Sequence, residues 1–130
     1  MGLLESFQDF LLITIGAIFG ANARFILYKN LYKVNFDRNS IILVINTMSS
    51  FCLGFFLSTT SHISSLNYTY KLGLFFSIGL LGSLSTFSTF IYDLYELLIA
   101  LKFARAFKLF INSLILGILA FVFGILLALQ

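Results

Sequence analysis

GLLGSLSTFSTF (residues 79–90) holds two glycines, five hydroxyl side chains and two phenylalanines in twelve positions. It lies inside an apolar run of 29 residues, 72–100. That many residues of helix reach about 43 Å at about 1.5 Å each, against about 30 Å of bilayer hydrocarbon. The run therefore either tilts and overshoots the lipid or is interrupted. The place for an interruption is Gly79, Gly82, Ser83, Ser85 and Thr86. Glycine weakens a helix, and hydroxyls bond backbone groups that leave the ladder. Broken helices persist at membrane depth only where protein or a polar cavity surrounds them, and their freed carbonyls are ready cation ligands. A continuous helix with a polar packing face is the alternative that spacing leaves open.

Composition sets the class. Of 130 residues, 60% are hydrophobic and 10% charged, with mean hydropathy +1.04; soluble domains carry about a quarter charged residues. Four apolar runs, residues 10–28, 40–60, 72–100 and 109–129, approach or exceed the length of a spanning helix. They do not alternate as barrel strands do. The reading is an all-α membrane protein, one four-helix transmembrane domain over residues 1–130, with the third helix broken within 79–86. The first run is not a signal peptide, because its approach carries Glu5 and Asp9 and it ends in Arg24.

Enzyme chemistry finds no foothold. The sequence has no Gly-rich phosphate loop, no nucleophile motif and no carboxylate pair inside a run. Cys52 is the only cysteine, which excludes a disulfide framework. His62 stands alone between the second and third runs and reads as a loop histidine. Asn67-Tyr68-Thr69 matches a glycosylation acceptor, a short and weak pattern. The pI near 9.2 reflects basic connections between spans.

Several polar or small residues sit inside the runs. Gly16, Gly20 and Arg24 are spaced four apart on one face of the first, and Ser113, Gly117 and Gly124 share a face of the fourth. Such faces let backbones approach where lipid removes the hydrophobic drive, either within a subunit or between subunits. Asn46 in the second run is followed by Thr47, Ser49 and Ser50. A buried amide is costly unless it has a partner or lines a polar path. Arg24 either snorkels or makes an anion entrance positive. Phe87 and Phe90 share a helix face just past the break, and a ring edge is electropositive; packing alone would also place them so.

At these residues the chain resembles the small fluoride channel family known as Fluc or CrcB. GAIFGANARF (residues 16–25) matches that family's first-helix pattern, and NTMSSFCLGFF (46–56) its second-helix asparagine followed by small residues. GLLGSLSTFSTF resembles its most specific signature, and Asp93 stands where the family has an acidic residue. The resemblance covers all four runs in order.

The resemblance implies antiparallel dimers of four-helix subunits with two narrow pores. It implies a structural sodium ion at the dimer centre, held by backbone carbonyls corresponding to Gly82 and Ser85. It places Asn46, Phe87, Ser88, Thr89, Phe90 and Ser113 along the fluoride path, with Arg24 at the pore entrance. A passive fluoride channel in the plasma membrane would then drain the ion outward and protect the cell. Fluoride is small and strongly hydrated, so dipoles and ring edges must replace its water weakly enough to let it leave.

Some positions depart from the family pattern. Ser83, Ser85 and Ser49 replace a glycine, a threonine and a glycine, and Leu109 stands where many relatives have tyrosine. The fourth-helix lining is left with Asn112 and Ser113. A four-helix multidrug transporter, the main rival, would need a glutamate within its first helix; Glu5 precedes the run and Arg24 has the wrong sign. A non-transporting subunit of a membrane complex stays open.

Charge counts give an orientation. Lys29, Lys33, Arg38, Lys102, Arg105 and Lys108 share one side of the membrane, against Lys71 on the other. Basic connections stay cytoplasmic, which places both termini outside. So strong a bias disfavours insertion both ways. With an antiparallel dimer, it points to a related subunit of opposite orientation, a homodimer being the other possibility.

Overall fold

The computed structural model describes residues 2–61 and 66–130 and builds them from helices and short connections. Four segments are long and apolar enough to cross a membrane: Leu3–Lys33, Arg38–Thr60, Tyr68–Ile99 and Phe103–Ala128. Helix α1 (Leu3–Lys33) is followed by α2 (Arg38–Ser61). The third segment starts as α3 (Leu66–Gly73), widens into a π-helical stretch (Leu74–Leu81) and closes with the short α4 (Gly82–Leu84). Ser85 and Thr86 then leave the helix in extended conformation, with ψ of 153° and 107°. Helices α5 (Phe87–Ile99) and α6 (Phe103–Ala128) complete the chain.

The interruption lies inside residues 79–86, but the glycines do not make it. Gly82 is helical, with φ −63° and ψ −34°, and the two extended residues are Ser85 and Thr86. Gly79 serves another purpose: a Cβ there would come within 2.7 Å of the Ile13 carbonyl and 3.0 Å of the Gly16 Cα. It is the place where the π stretch and α1 touch backbone to backbone.

Hydropathy also understated the helices. Residues 101–108, between the third and fourth apolar runs, are not a connection throughout, since α6 begins at Phe103 and only Ala100–Lys102 link it to α5. Lys and Arg are good helix formers and can snorkel to water, so apolarity marks lipid contact and not helix ends. Tyr68 and Thr69 are helical, and the Thr69 hydroxyl is buried; the glycosylation pattern thus falls in α3 and not in a loop. His62 lies outside the described residues.

Two parallel pairs build the bundle. Helix α1 runs alongside α3 and the π stretch: Gln8 meets Lys71, Asp9 meets Tyr70, and Gly20 meets Leu80 and Ser83. Helix α2 runs alongside α6: Ser50 lies near Gly117, Gly54 against Phe121, and Gly124 against Phe51 and Phe55. The small residues at 16, 20 and 124 therefore serve packing within the chain. The pairs are joined by Ile41, Ile45, Leu81 and Leu84, all buried, with Ala23, Leu27, Tyr28 and Leu53 packed around them. This core stands directly behind the break.

Candidate functional site at the helix break

In a continuing helix the Thr86 N–H would bond the Gly82 carbonyl, four residues back. It donates instead to Asn46 Oδ1 at 2.9 Å, while Asn46 Nδ2 donates to the Thr86 carbonyl at 3.3 Å. One amide from α2 thus replaces the backbone ladder at the break. The displacement releases the Gly82 carbonyl, whose one side-chain hydrogen bond among the described residues is from the Ser85 hydroxyl at 3.5 Å. Thr86 also caps α5: its Oγ1 accepts from the Thr89 N–H at 3.3 Å and lies 2.8 Å from Thr89 Oγ1.

Two cavities adjoin the break, and Thr86 lines both. One, of about 290 Å³, is lined by Asn46, Ser85, Thr86, Phe87, Phe90, Phe110, Ser113 and Leu114. None of these side chains carries a charge. Its polar groups are an amide and hydroxyls, and its apolar walls are phenyl rings, with Phe87 and Phe90 centred 6.3 Å apart and tilted by 40°. Such a wall offers a small anion donors and ring edges without a full countercharge.

The other cavity, of about 390 Å³, is lined by Ala21, Arg24, Phe25, Tyr28, Arg38, Ile42, Ile45, Thr86 and Thr89. Two guanidinium groups make it positive. Arg38 is held in place by Asp93, to which its Nε donates at 2.8 Å, and its guanidinium lies 4.8 Å from the Tyr92 ring centre.

The fold brings together Asn46, Ser85, Phe87, Phe90 and Ser113, five of the residues singled out in sequence. It sets Thr89 and Arg24 apart from them, in the charged cavity. Ser88 is exposed and lines neither, and its hydroxyl stands 3.5 Å from that of Thr86. Gly82 is exposed beside the break. Arg38, Tyr28 and Phe110 escaped the sequence reading. Arg38 precedes Ile42 and Ile45 by four and seven residues, a helical face, but its neighbours Asp37 and Asn39 read as loop.

Against this geometry the similarities are informative. Residues 11–125 match the family described as CrcB-like protein, Camphor Resistance (CrcB). The chain belongs to the CrcB family. The "Fluoride-specific ion channel FluC 2" of Prochlorococcus marinus (strain NATL2A) is 52% identical over 123 residues, 95% of this chain and 99% of that one. The "Fluoride-specific ion channel FluC" of Thermosipho melanesiensis (strain DSM 12029 / CIP 104789 / BI429) is 36% identical over 123 residues, covering 92% and 95%. Membership in this family and four apolar segments make the chain a multi-pass membrane protein.

Proposed function

We propose that the chain is a fluoride-specific ion channel that lets the anion leave the cell passively and so reduces its toxicity. It is not an enzyme. The observation that carries this reading is the uncharged cavity at the break, where Asn46, Ser113, Phe87 and Phe90 converge in a chain of this family. Arg24 concentrates anions at the mouth. Asn46 and Ser113 donate hydrogen bonds in place of water. The edges of Phe87 and Phe90 contact the ion without trapping it, and Thr89 supplies a hydroxyl on the side of the charged cavity; Ser88, outside both cavities, has no direct part in this subunit. A negative-inside potential contributes about 2.3 kcal/mol per charge per 100 mV to outward movement.

The released Gly82 carbonyl fits a hard cation, whose usual ligands are neutral or anionic oxygens. In this reading Gly82 and Ser85 would hold a structural sodium ion, which supplies a fixed positive charge and is not transported. Neither position needs a particular side chain for it, since backbone oxygens are the ligands.

The working unit is an antiparallel dimer in the plasma membrane, with both termini outside. Six basic residues on one side against one on the other support a single orientation. A related, oppositely oriented subunit is then the partner, although a homodimer meets the same symmetry. The test is fluoride efflux from liposomes holding the purified protein, alone and with such a relative, beside topology reporters at the carboxyl terminus. Efflux only with the relative supports the heterodimer; full efflux alone with reporter signal on both sides overturns it. No efflux in either case would leave the non-transporting subunit.

A further inference from the structure

We infer that the basic end of the bundle carries an anionic phospholipid site, a cleft between α2 and α6 that takes a lipid phosphate. Because α2 and α6 are parallel, their first turns lie side by side. Between them is a cavity of about 180 Å³ lined by Asn39, Ser40, Leu43, Arg105, Lys108, Leu109 and Asn112. It shares no residue with the two cavities at the break.

Arg105, Lys108, Asn39 and Asn112 make no ion pair or hydrogen bond with any other side chain among the described residues. Two cations and two amides therefore face the cleft with their donors unspent. The nearest carboxylate in sequence, Asp37, is turned to its own helix: the Ser40 hydroxyl donates to its Oδ1 at 2.7 Å and the Ser40 N–H to its Oδ2 at 3.4 Å. It forms no ion pair with Arg105 or Lys108.

Depth selects the occupant. The run 109–129 is 21 residues, about 32 Å of helix, which by itself crosses about 30 Å of hydrocarbon. The first six residues of α6, with Arg105 and Lys108, are left at headgroup level. On α2 the apolar run opens at Ser40, so Asn39 and Ser40 stand at its mouth, at the same height. Leu43 and Leu109 form the membrane-facing floor, suited to glycerol and the first acyl carbons. A zwitterionic headgroup brings its own amine beside the phosphate; two unpaired cations favour a lipid with net negative charge. Basic pockets between membrane helices take such headgroups.

The experiment uses the full chain purified in a neutral detergent. Thermal unfolding is followed while phosphatidylglycerol, phosphatidylcholine or inorganic phosphate is added. Phosphatidylglycerol should raise the melting temperature saturably, phosphatidylcholine should not, and inorganic phosphate at equal concentration should have little effect. Arg105→Gln with Lys108→Gln should weaken the phosphatidylglycerol response about thirtyfold, from about 1 kcal/mol for each basic residue at an anionic surface. Lys29→Gln with Lys33→Gln removes the same charge from the same end and should leave the response unchanged. Asn112→Ala keeps every charge and should weaken it severalfold, which preserves the test if the double variant fails to fold. Equal losses from the two double variants would reduce the effect to surface potential and overturn the site. An inorganic phosphate response matching that of the lipid would make the cleft a free-anion site and overturn the lipid assignment.

Discussion

Arg38 at the start of α2 and Asp93 in α5, 55 residues apart in sequence, form an ion pair inside the bundle. Arg38 Nε donates to Asp93 Oδ1 at 2.8 Å, Nη2 contacts the same oxygen, and Glu96 Oε2 lies 3.4 Å from Nη2. Asp93 is only 2% exposed, and its Oδ2 is buried with no partner among the described residues. The pair is one of few ties between α5 and α2. It also keeps the Arg38 guanidinium at the wall of the charged cavity.

Breaking one side of that pair should cost more than deleting it. Arg38→Gln leaves the buried Asp93 carboxylate uncompensated and should lower stability by about 3 kcal/mol, whereas Asp93→Asn leaves a part-exposed guanidinium that still has Glu96 beside it and should cost less. Arg38→Met combined with Asp93→Leu should recover most of the loss. Unfolding in detergent measures all three variants; a double variant no more stable than Arg38→Gln would show that the loss does not come from an uncompensated carboxylate.

Asn46→Leu should both destabilise the break and stop conduction. It removes two hydrogen bonds to Thr86, worth about 1 kcal/mol each, and returns the Thr86 N–H to Gly82. The released carbonyl is then lost. Melting with and without sodium reads this directly: sodium should stabilise the parent protein and not Asn46→Leu. Equal stabilisation of both would detach the carbonyl from sodium.

Phe87→Ile and Phe90→Ile keep bulk and remove the electropositive ring edge. Each should abolish fluoride efflux from liposomes while changing stability by under about 1.5 kcal/mol. Phe87 is 75% exposed in the subunit, so its substitution tests the anion role with little disturbance of packing. Unimpaired efflux in both variants would return the rings to a packing role.

Glycines that looked alike in sequence should separate sharply. A Cβ at Gly16 would overlap the Phe75 carbonyl, and one at Gly54 the Phe121 carbonyl, both backbone atoms that cannot yield. Gly16→Ala and Gly54→Ala should each cost about 3 kcal/mol. At Gly82 the nearest atom is the Ser77 carbonyl oxygen, 3.6 Å away, so Gly82→Ala should shift stability by under about 1 kcal/mol. Thermal melting ranks them, and a Gly82→Ala loss as large as that of Gly54→Ala would contradict the packing described.

Apolar runs and the motifs at 16–25, 46–56 and 79–90 were enough to determine four spanning segments, an interrupted third one and the family. These are properties of single segments in lipid: a run is apolar over about 20 residues or it is not, whatever it touches. The break itself was decided by tertiary contact. Local propensity marked Gly79, Gly82, Ser83, Ser85 and Thr86 without choosing among them; Gly79 is held helical against α1, and the chain opens at Ser85 and Thr86 because Asn46 supplies bonds there that the helix would otherwise supply. Asn46, which in sequence needed either a partner or a polar path, is in the fold a clasp on Thr86 that also forms a cavity wall. The same holds for Arg38, which reads as a loop cation beside Asp37 and Asn39. Its partner lies 55 residues away, and only the folded bundle brings a buried carboxylate within reach of a charge that sequence spacing would leave in water.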